Sequence, residues 1–358
     1  AECGFDVVAR DDGLWPEGPD GFYDPGTSPY NQYLKQQGYE NDNPWLAHAN
    51  AGVGDEGDIA SGWFMQHADK PANIREEDSE TVFLTTRCME FIDQHNQSDS
   101  KPWLCHLSYI KPHWPYIVPK PYHDMYGQEH RIPVNRSALE KENTHPLYQL
   151  FMDNAIGQAF RRDEVLDKVV PAYMGLIKQC DDQLGRLFKH LEDTGRMDDT
   201  LIVITADHGD YMGDHWLGEK DLFHSPSVKI PLIVYDPSAA ADASRGQVCD
   251  ELVESLDVTA TFVEAAGGEL DNKLDHILEG RSLLPFLHGQ PVEWRDYAIS
   301  EYDYSMTYAN GQLKLSPRDA RLFMVFDGRF KLMHAEGGLR PMLFDLETDR
   351  KELKDLAR

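Results

Sequence analysis

Residues 200–220, with the sequence TLIVITADHGDYMGDHWLGEK, contain the features that determine the predicted fold. The segment begins with an apolar run rich in β-branched residues, Thr200 to Thr205, and a second such run occupies residues 230–235. Runs that are apolar on both faces are typical of buried strands in a mainly parallel sheet that helices cover. These runs predict an α/β fold with a central, mostly parallel mixed sheet between helices.

The remaining chain divides into two predicted parts, residues 1–289 as an α/β domain and residues 290–358 as a small C-terminal α+β subdomain with an antiparallel sheet. The dipeptide Asp327-Gly328 between two short apolar runs predicts a hairpin in the subdomain. Periodic apolar residues predict helices from about residue 78 to 92, over 163–193 and over 256–266. Further strands are predicted at 103–109, 297–302, 322–327 and 329–334.

The charge balance limits the classes of partner. The chain has 358 residues, with 34 Lys and Arg against 62 Asp and Glu, which gives a net charge of −28. Such an acidic surface argues against nucleic acid and against an anionic membrane as the main partner. It is compatible with a small anionic ester substrate, because a bound dication reverses the sign of the local field.

The cysteines indicate a reducing compartment. There are five, they are widely spaced, and no CxxC pair occurs: Cys3, Cys88, Cys105, Cys180 and Cys249. An odd number without a regular pattern is a poor disulfide framework and a poor zinc knuckle. We therefore expect reduced, mostly buried thiols and a cytoplasmic location.

The candidate chemistry follows the first apolar run directly. Asp207 and His208 offer one oxygen and one nitrogen ligand, a mixture that suits zinc or manganese better than calcium or magnesium. Gly209 allows a sharp turn beside such an ion. An isolated Asp-His pair is more often part of a hydrogen-bonded loop, but here several further groups crowd the same connection: Asp210, Asp214, His215, Lys220 and His224. Structural loops rarely concentrate so many groups that are costly to desolvate.

Two cationic or protonatable side chains are candidates for contact with a substrate. Lys220 could neutralise an oxygen of a tetrahedral anion, although a solvated surface lysine is the alternative. His113 lies in an aromatic, proline-rich loop, Lys111-Pro-His-Trp-Pro-Tyr116. It could bind the anion or donate a proton to a leaving group, although a histidine packed among aromatic residues is the more frequent case.

The segment Thr205 to Lys220, followed by Lys229-Ile-Pro-Leu-Ile-Val234, resembles the sulfatase branch of the alkaline-phosphatase superfamily. Within that branch it is most similar to phosphonate monoester hydrolases and phosphodiesterases, and the resemblance extends from about residue 70 to the C terminus. The resemblance implies that Asp207 and His208 bind one divalent ion (Mn, Zn, Ca or Mg). It also implies that Lys220 and His113 act on the ester, with His224 as a weaker candidate for substrate binding.

One expected feature of the family is absent from the sequence. The family's nucleophile lies in a Cys/Ser-x-Pro/Ala-x-Arg segment after a strand that ends in metal-binding Asp residues, and no cysteine here has that context. Residues 7–13, Val-Val-Ala-Arg-Asp-Asp-Gly, look only superficially like that strand. We interpret the sequence as lacking about the first hundred residues of the family pattern, so it contains no nucleophile.

Three hypotheses follow. The first is a metal-dependent hydrolase of phosphate or phosphonate mono- or diesters or of sulfate esters. The second is a non-catalytic relative that keeps the fold. The third is a two-metal phosphatase or phosphomutase of the same superfamily, in which His215 and His224 would be additional ligands. Under the first hypothesis the partner is a small anionic ester, without nucleic acid or membrane, and a homo-oligomer is compatible with the polar C-terminal segment.

Overall fold

The computed structural model describes residues 5, 9, 28–97, 101–270 and 278–358. Its helices are Pro29–Gln36 (α1), Glu80–Gln97 (α2), Pro146–Asp153 (α3), Ala155–Phe160 (α4), Asp163–Asp193 (α5), Ser225–Val228 (α6), Leu256–Ala265 (α7), Leu284–Leu287 (α8) and Tyr308–Leu313 (α9). Its strands are Ala51–Val53 (β1), Ile59–Ser61 (β2), Ile202–Thr205 (β3), Leu232–Tyr235 (β4), Ala298–Asp303 (β5), Arg321–Phe326 (β6), Phe330–Ala335 (β7) and Met342–Asp345 (β8).

The chain forms two compact units. The first contains the described residues up to Pro133 together with Arg162–Thr194, and the second contains Val134–Arg161 together with Gly195–Arg358. These units do not follow the division near residue 290 that the sequence suggests. That division stays a prediction about domains.

The long helix α5 is the main scaffold of the first unit. It spans 31 residues, as the periodicity predicts, and its apolar positions Val165, Leu166 and Val169 are buried. Helix α2 packs against it, and the Gln179 side chain of α5 donates a hydrogen bond to the Ser79 hydroxyl at 2.8 Å. Even α5 is amphipathic, and the described helices include none with the length and apolar character needed to cross a membrane.

The predicted strand at residues 103–109 is wrong. The segment is extended and its exposure alternates along the chain, but its backbone pairs with no strand within the described ranges. Leu104, on its outer side, is 55% exposed. Alternating hydrophobicity identifies an extended chain, whereas a strand also needs a neighbouring backbone, which local sequence does not specify.

The two apolar runs around the central connection form β3 and β4 in the second unit. They pair with each other in an antiparallel register, with Val203 opposite Val234, rather than as buried parallel strands. Ile233 is 59% exposed. The β-branched composition therefore predicted strands correctly, but the direction of this pairing and the degree of burial differ from the expectation.

The C-terminal antiparallel sheet is confirmed. It has four strands in the order β5-β6-β7-β8, all antiparallel. The turn between β6 and β7 contains Gly328 at φ 89°, a conformation that glycine adopts without steric cost. The inner face of this sheet and helix α3 share one apolar core, whose fully buried members include Leu147, Met152, Leu322 and Met333.

Candidate active site

Asp207 and His208 follow β3 directly and lie close together. The Asp207 carboxylate is 89% exposed, and its Oδ2 atom is 3.6 Å from Nε2 of His208. The His208 Nδ1 atom donates to the carbonyl oxygen of Gly209 at 2.7 Å, so in the neutral ring Nε2 carries the lone pair. Two ligand atoms about 2.1 Å from one ion at a tetrahedral angle are about 3.4 Å apart. The pair therefore has the spacing and tautomer expected of two ligands of one ion.

Gly209 lies where no side chain fits. A Cβ atom at this position would overlap the carbonyl oxygen of Pro226 in α6, and the Gly209 amide donates to the Ser227 carbonyl at 2.7 Å. The sequence suggests a sharp turn as the reason for this glycine, whereas the structure shows close approach of two backbones. That contact fixes the chain directly after the two predicted ligands.

The connection from β3 to β4 has a strained backbone. Five non-glycine residues have φ between 46° and 109°: Met212, His215, Trp216, Glu219 and Asp221. Each such conformation costs about 1–3 kcal/mol and persists only where the surroundings enforce it. Here the amides of Tyr211 and Gly213 donate across the connection to the carbonyls of Glu219 and Leu217, each at 2.8 Å. Strain of this kind is concentrated at functional sites.

Lys220 lies between two partly buried carboxyl groups. Burial raises the pKa of Glu219 to about 7, and the positive charge of Lys220 opposes this rise. Burial also raises the pKa of Asp221, against the hydrogen bond that the Tyr302 hydroxyl donates at 2.9 Å and against the charges of Lys220 and His208. Lys220 and His208 thus act on the same carboxyl group. Sequence reasoning missed Glu219, Asp221 and Tyr302, although the first two flank Lys220 directly.

A second Asp-His pair, Asp214 and His215, has a different environment. The Asp214 carboxylate accepts hydrogen bonds from the Asn135 amide at 2.6 Å and from its side chain at 3.2 Å. The His215 Nδ1 atom is 2.7 Å from Oε1 of Glu140, and the two side chains are 1% and 3% exposed. The Tyr148 hydroxyl also donates to Glu140, at 3.0 Å. This pair is therefore occupied by protein partners.

His224 is fully buried beside that pair. Its ring stacks on His215 with 4.1 Å between centroids, and its Nδ1 atom is 3.0 Å from the Tyr211 hydroxyl. Burial, followed by the charges of His215 and Lys331, holds the pKa of His224 well below its usual value. This environment favours a packing role, and the predicted contact with substrate stays a prediction.

His113 lies in the first unit, in a loop that a buried lysine holds. Lys111 is 7% exposed, and its ammonium donates to the Asn50 side chain at 3.0 Å and to the Pro115 carbonyl at 2.8 Å. The His113 Nδ1 atom donates to the Trp114 carbonyl at 2.6 Å, which leaves the Nε2 atom with the lone pair in the neutral ring. Sequence reasoning missed Lys111. Its only signal is its position two residues before His113.

The described residues contain no complete metal site. Across 28–97, 101–270 and 278–358, no group of three or more His, Cys, Asp and Glu side chains is arranged to hold an ion. Asp207 and His208 would provide two ligands, and a divalent ion in a protein takes four or more. The chemistry of this donor pair fits a divalent ion that also receives ligands from elsewhere.

Two family models match the chain. The model described as Sulfatase matches residues 26–268. The model described as N-sulphoglucosamine sulphohydrolase, C-terminal, matches residues 213–358. The two overlap across the connection that carries Lys220, and together they include every predicted site residue.

The chain is similar to proteins and structures of this kind. It is 33% identical to the multifunctional alkaline phosphatase superfamily protein PehA of Trinickia caryophylli, over 94% of this chain and 65% of that protein. It is 29% identical to a choline-sulfatase of Rhizobium meliloti, over 80% of this chain and 52% of that protein.

Among solved structures, a phosphonate monoester hydrolase from Silicibacter pomeroyi aligns with a TM-score of 0.79 at 30% identity, covering 92% of this chain and 64% of that one. The phosphonate monoester hydrolase of Agrobacterium radiobacter aligns with a TM-score of 0.78 at 28% identity, with the same coverage. The chain thus spans less than two thirds of the length of each of these relatives.

Proposed function

This chain belongs to the sulfatase family, and we propose that the full-length protein is a metal-dependent hydrolase of phosphonate, phosphate or sulfate esters. Membership agrees with the resemblance carried by residues 205–220. The observation that supports the proposal best is the Asp207–His208 pair, with Oδ2 and Nε2 atoms 3.6 Å apart. Its exposed carboxylate and fixed imidazole tautomer suit a divalent ion (Mn, Zn, Ca or Mg) better than they suit a structural turn.

The proposed roles follow from charge and position. A bound dication would act as a Lewis acid and offset negative charge on the ester oxygens. Lys220 would hold an anionic oxygen of the substrate, since its ammonium is a strong point charge in a partly buried setting. His113, with Nδ1 engaged by the Trp114 carbonyl, would present Nε2 to a substrate or leaving-group oxygen.

The relatives' names suggest the substrate class. The two solved structures that align with TM-scores of 0.79 and 0.78 are both described as phosphonate monoester hydrolases. One curated relative is a choline-sulfatase. We therefore propose small anionic esters as substrates, with phosphonate monoesters tested first. A cytoplasmic location without nucleic-acid or membrane partners belongs to the same proposal and rests on the acidic charge and the free thiols.

The two-metal alternative has little support from the contacts. It requires His215 and His224 as ligands, and both are buried among protein partners, with the His215 ring against Glu140 and the His224 ring against Tyr211. Withdrawing the His215 ring from Glu140 to bind an ion would break a buried hydrogen bond, which costs about 1–3 kcal/mol.

The decisive experiment compares the two aspartates of the Asp-His pairs in the full-length protein. Asp207→Asn should abolish retention of a stoichiometric metal ion, measured by elemental analysis, and hydrolysis of a phosphonate monoester, a phosphodiester and an aryl sulfate. Asp214→Asn is the matched control and should keep the ion. If Asp207→Asn retains both the ion and activity, the ligand assignment is wrong. An unmodified full-length protein that binds metal but hydrolyses no ester would favour the non-catalytic alternative.

A further inference from the structure

Two cysteines of the first unit lie side by side. Cys88 is on α2 and Cys105 is in the extended segment 103–109, and their Sγ atoms are 3.5 Å apart. Cys88 is 7% exposed, and Cys105 is partly exposed. The other described cysteines differ, since Cys180 donates to the Lys111 carbonyl at 3.4 Å and Cys249 is exposed.

The pair belongs to a set of matched contacts between the helix and the extended segment. Three residues at steps of three along α2 meet residues two and then four apart in the segment: Phe91 with Trp103 (6.0 Å between ring centroids), Cys88 with Cys105, and Thr85 with Tyr109 (2.7 Å between hydroxyls). Residues at steps of three share a face of a helix, and alternate residues share a face of an extended chain. The flanking contacts therefore hold the two thiols in position from both sides.

The geometry favours bond formation. A disulfide has a sulfur–sulfur distance of about 2.03–2.05 Å, so the two atoms need to approach by roughly 1.5 Å to bond. Either thiol can donate in this contact; with Cys88 as the donor, the hydrogen bond lowers the pKa of Cys105 and raises the pKa of Cys88. The more exposed sulfur is thus the better nucleophile, as a thiolate is the reactive species.

We propose that Cys88 and Cys105 are a redox-active dithiol that closes to an intramolecular disulfide under peroxide and reopens with a thiol reductant. The Cys105 thiolate attacks hydrogen peroxide and becomes a sulfenic acid, releasing hydroxide. The Cys88 sulfur then attacks the Cys105 sulfur, and the sulfenic hydroxyl leaves as water with the proton of the Cys88 thiol. The proton that Cys105 lost on forming its thiolate neutralises the hydroxide. The sum is two thiols and one peroxide giving one disulfide and two waters. A dithiol reductant reverses the bond by thiol–disulfide exchange.

The bond would have a structural consequence near the predicted site. It would tie α2 to a segment that has no strand partner within the described ranges and that runs directly into the His113 loop. Cross-linking restricts the unfolded chain. Oxidised protein should therefore unfold at a higher temperature than reduced protein.

The test treats the protein with a small molar excess of hydrogen peroxide and maps its peptides without reduction. The expected result is a cross-linked peptide pair containing Cys88 and Cys105, a mass lower by two hydrogens, and a thiol count that falls from five by two. Dithiothreitol should restore the original mass and the original thiol count. The melting temperature should rise on oxidation and return on reduction.

The controls are chosen by exposure. Cys105→Ser, at the more exposed position, should fold and lose the cross-link and the melting shift, and Cys88→Ala should behave in the same way. Cys180→Ser should keep both. Oxidation of Cys105 to a sulfinic acid while Cys88 stays a free thiol would overturn the proposal. A disulfide that forms between other cysteines in the parent protein would also overturn it.

Discussion

The same dipeptide, Asp-His, occurs twice within nine residues and has opposite surroundings in the two places. Asp207 and His208 face solvent, with 89% and 27% of their side chains exposed. Asp214 and His215 belong to a buried network, in which His215 is 1% exposed and pairs with Glu140. Both pairs follow the same strand and lie on the same connection. Residue type alone therefore does not distinguish a candidate ligand from a structural residue.

The difference teaches what makes an acid–imidazole pair available to an ion. Buried polar groups need partners, because an unmade hydrogen bond in the interior costs the full desolvation of the group. His215 has such a partner in Glu140, so an ion would have to displace it. The Asp207 carboxylate is 89% exposed, so an ion can approach it without breaking a buried contact.

The largest expected difference between the two Asp-His pairs is in the free energy of unfolding. His215→Ala should lower the free energy of unfolding by about 3–5 kcal/mol, because it removes the imidazole that pairs with the buried Glu140 carboxylate. Only the Tyr148 hydroxyl and the Ser137 amide then donate to that carboxylate. His208→Ala, at the exposed pair, should change it by less than about 1 kcal/mol while reducing metal retention. Urea unfolding of both variants in metal-free buffer measures the difference. Equal losses of stability would show that the two pairs are not distinguished by burial.

A smaller effect concerns the lysine beside the exposed pair. Lys220→Ala should raise the barrier to hydrolysis by about 2–4 kcal/mol, the loss expected for one donor to a developing anion, and should leave the ion bound. Steady-state kinetics of the full-length protein with a phosphonate monoester measures it. Lys229→Ala, on the exposed side of the same connection, is the control. A rate equal to that of the control would make Lys220 an ordinary surface residue.

The smallest expected effect is the pH dependence that the buried His224 gives to the free energy of unfolding. The pKa of His224 is held well below its usual value, mainly by burial, while an unfolded histidine titrates at about 6.5. As the pH falls below about 6.5, only the unfolded chain takes up this proton, so the free energy of unfolding falls by up to about 1.4 kcal/mol per pH unit. This loss continues until the pKa of the folded state is reached.

His224→Gln removes the titration but keeps a polar side chain. The difference in unfolding free energy between parent and variant should be constant above pH 7 and should shrink as the pH falls from 6.5, measured by urea unfolding at several pH values. If that difference does not change with pH, His224 is not the buried neutral group that its environment indicates.

Regular elements were predictable where the pattern was long. The apolar repeat of α5 fixes the helix Asp163–Asp193 because three- and four-residue steps recur over many turns. The alternating apolar residues on both sides of the Asp327-Gly328 turn predict the hairpin of β6 and β7, because that turn places the two strands side by side. The segment 103–109 has the right alternation, yet it is not a strand, because pairing depends on a second backbone. The antiparallel pairing of β3 with β4 was likewise not encoded in either run alone.

The sequence by itself determined the family, the longest helix, the C-terminal hairpin and the short segment that carries the predicted ligands, because these depend on residue types at near neighbours. Only the tertiary structure decided which Asp-His pair faces solvent. The partners that bury His215 and engage Asp214 are Glu140 and Asn135, which lie 75 and 79 residues away along the chain. Burial and hydrogen-bond partners are set by such distant contacts, and they determine whether a side chain is available to bind a ligand.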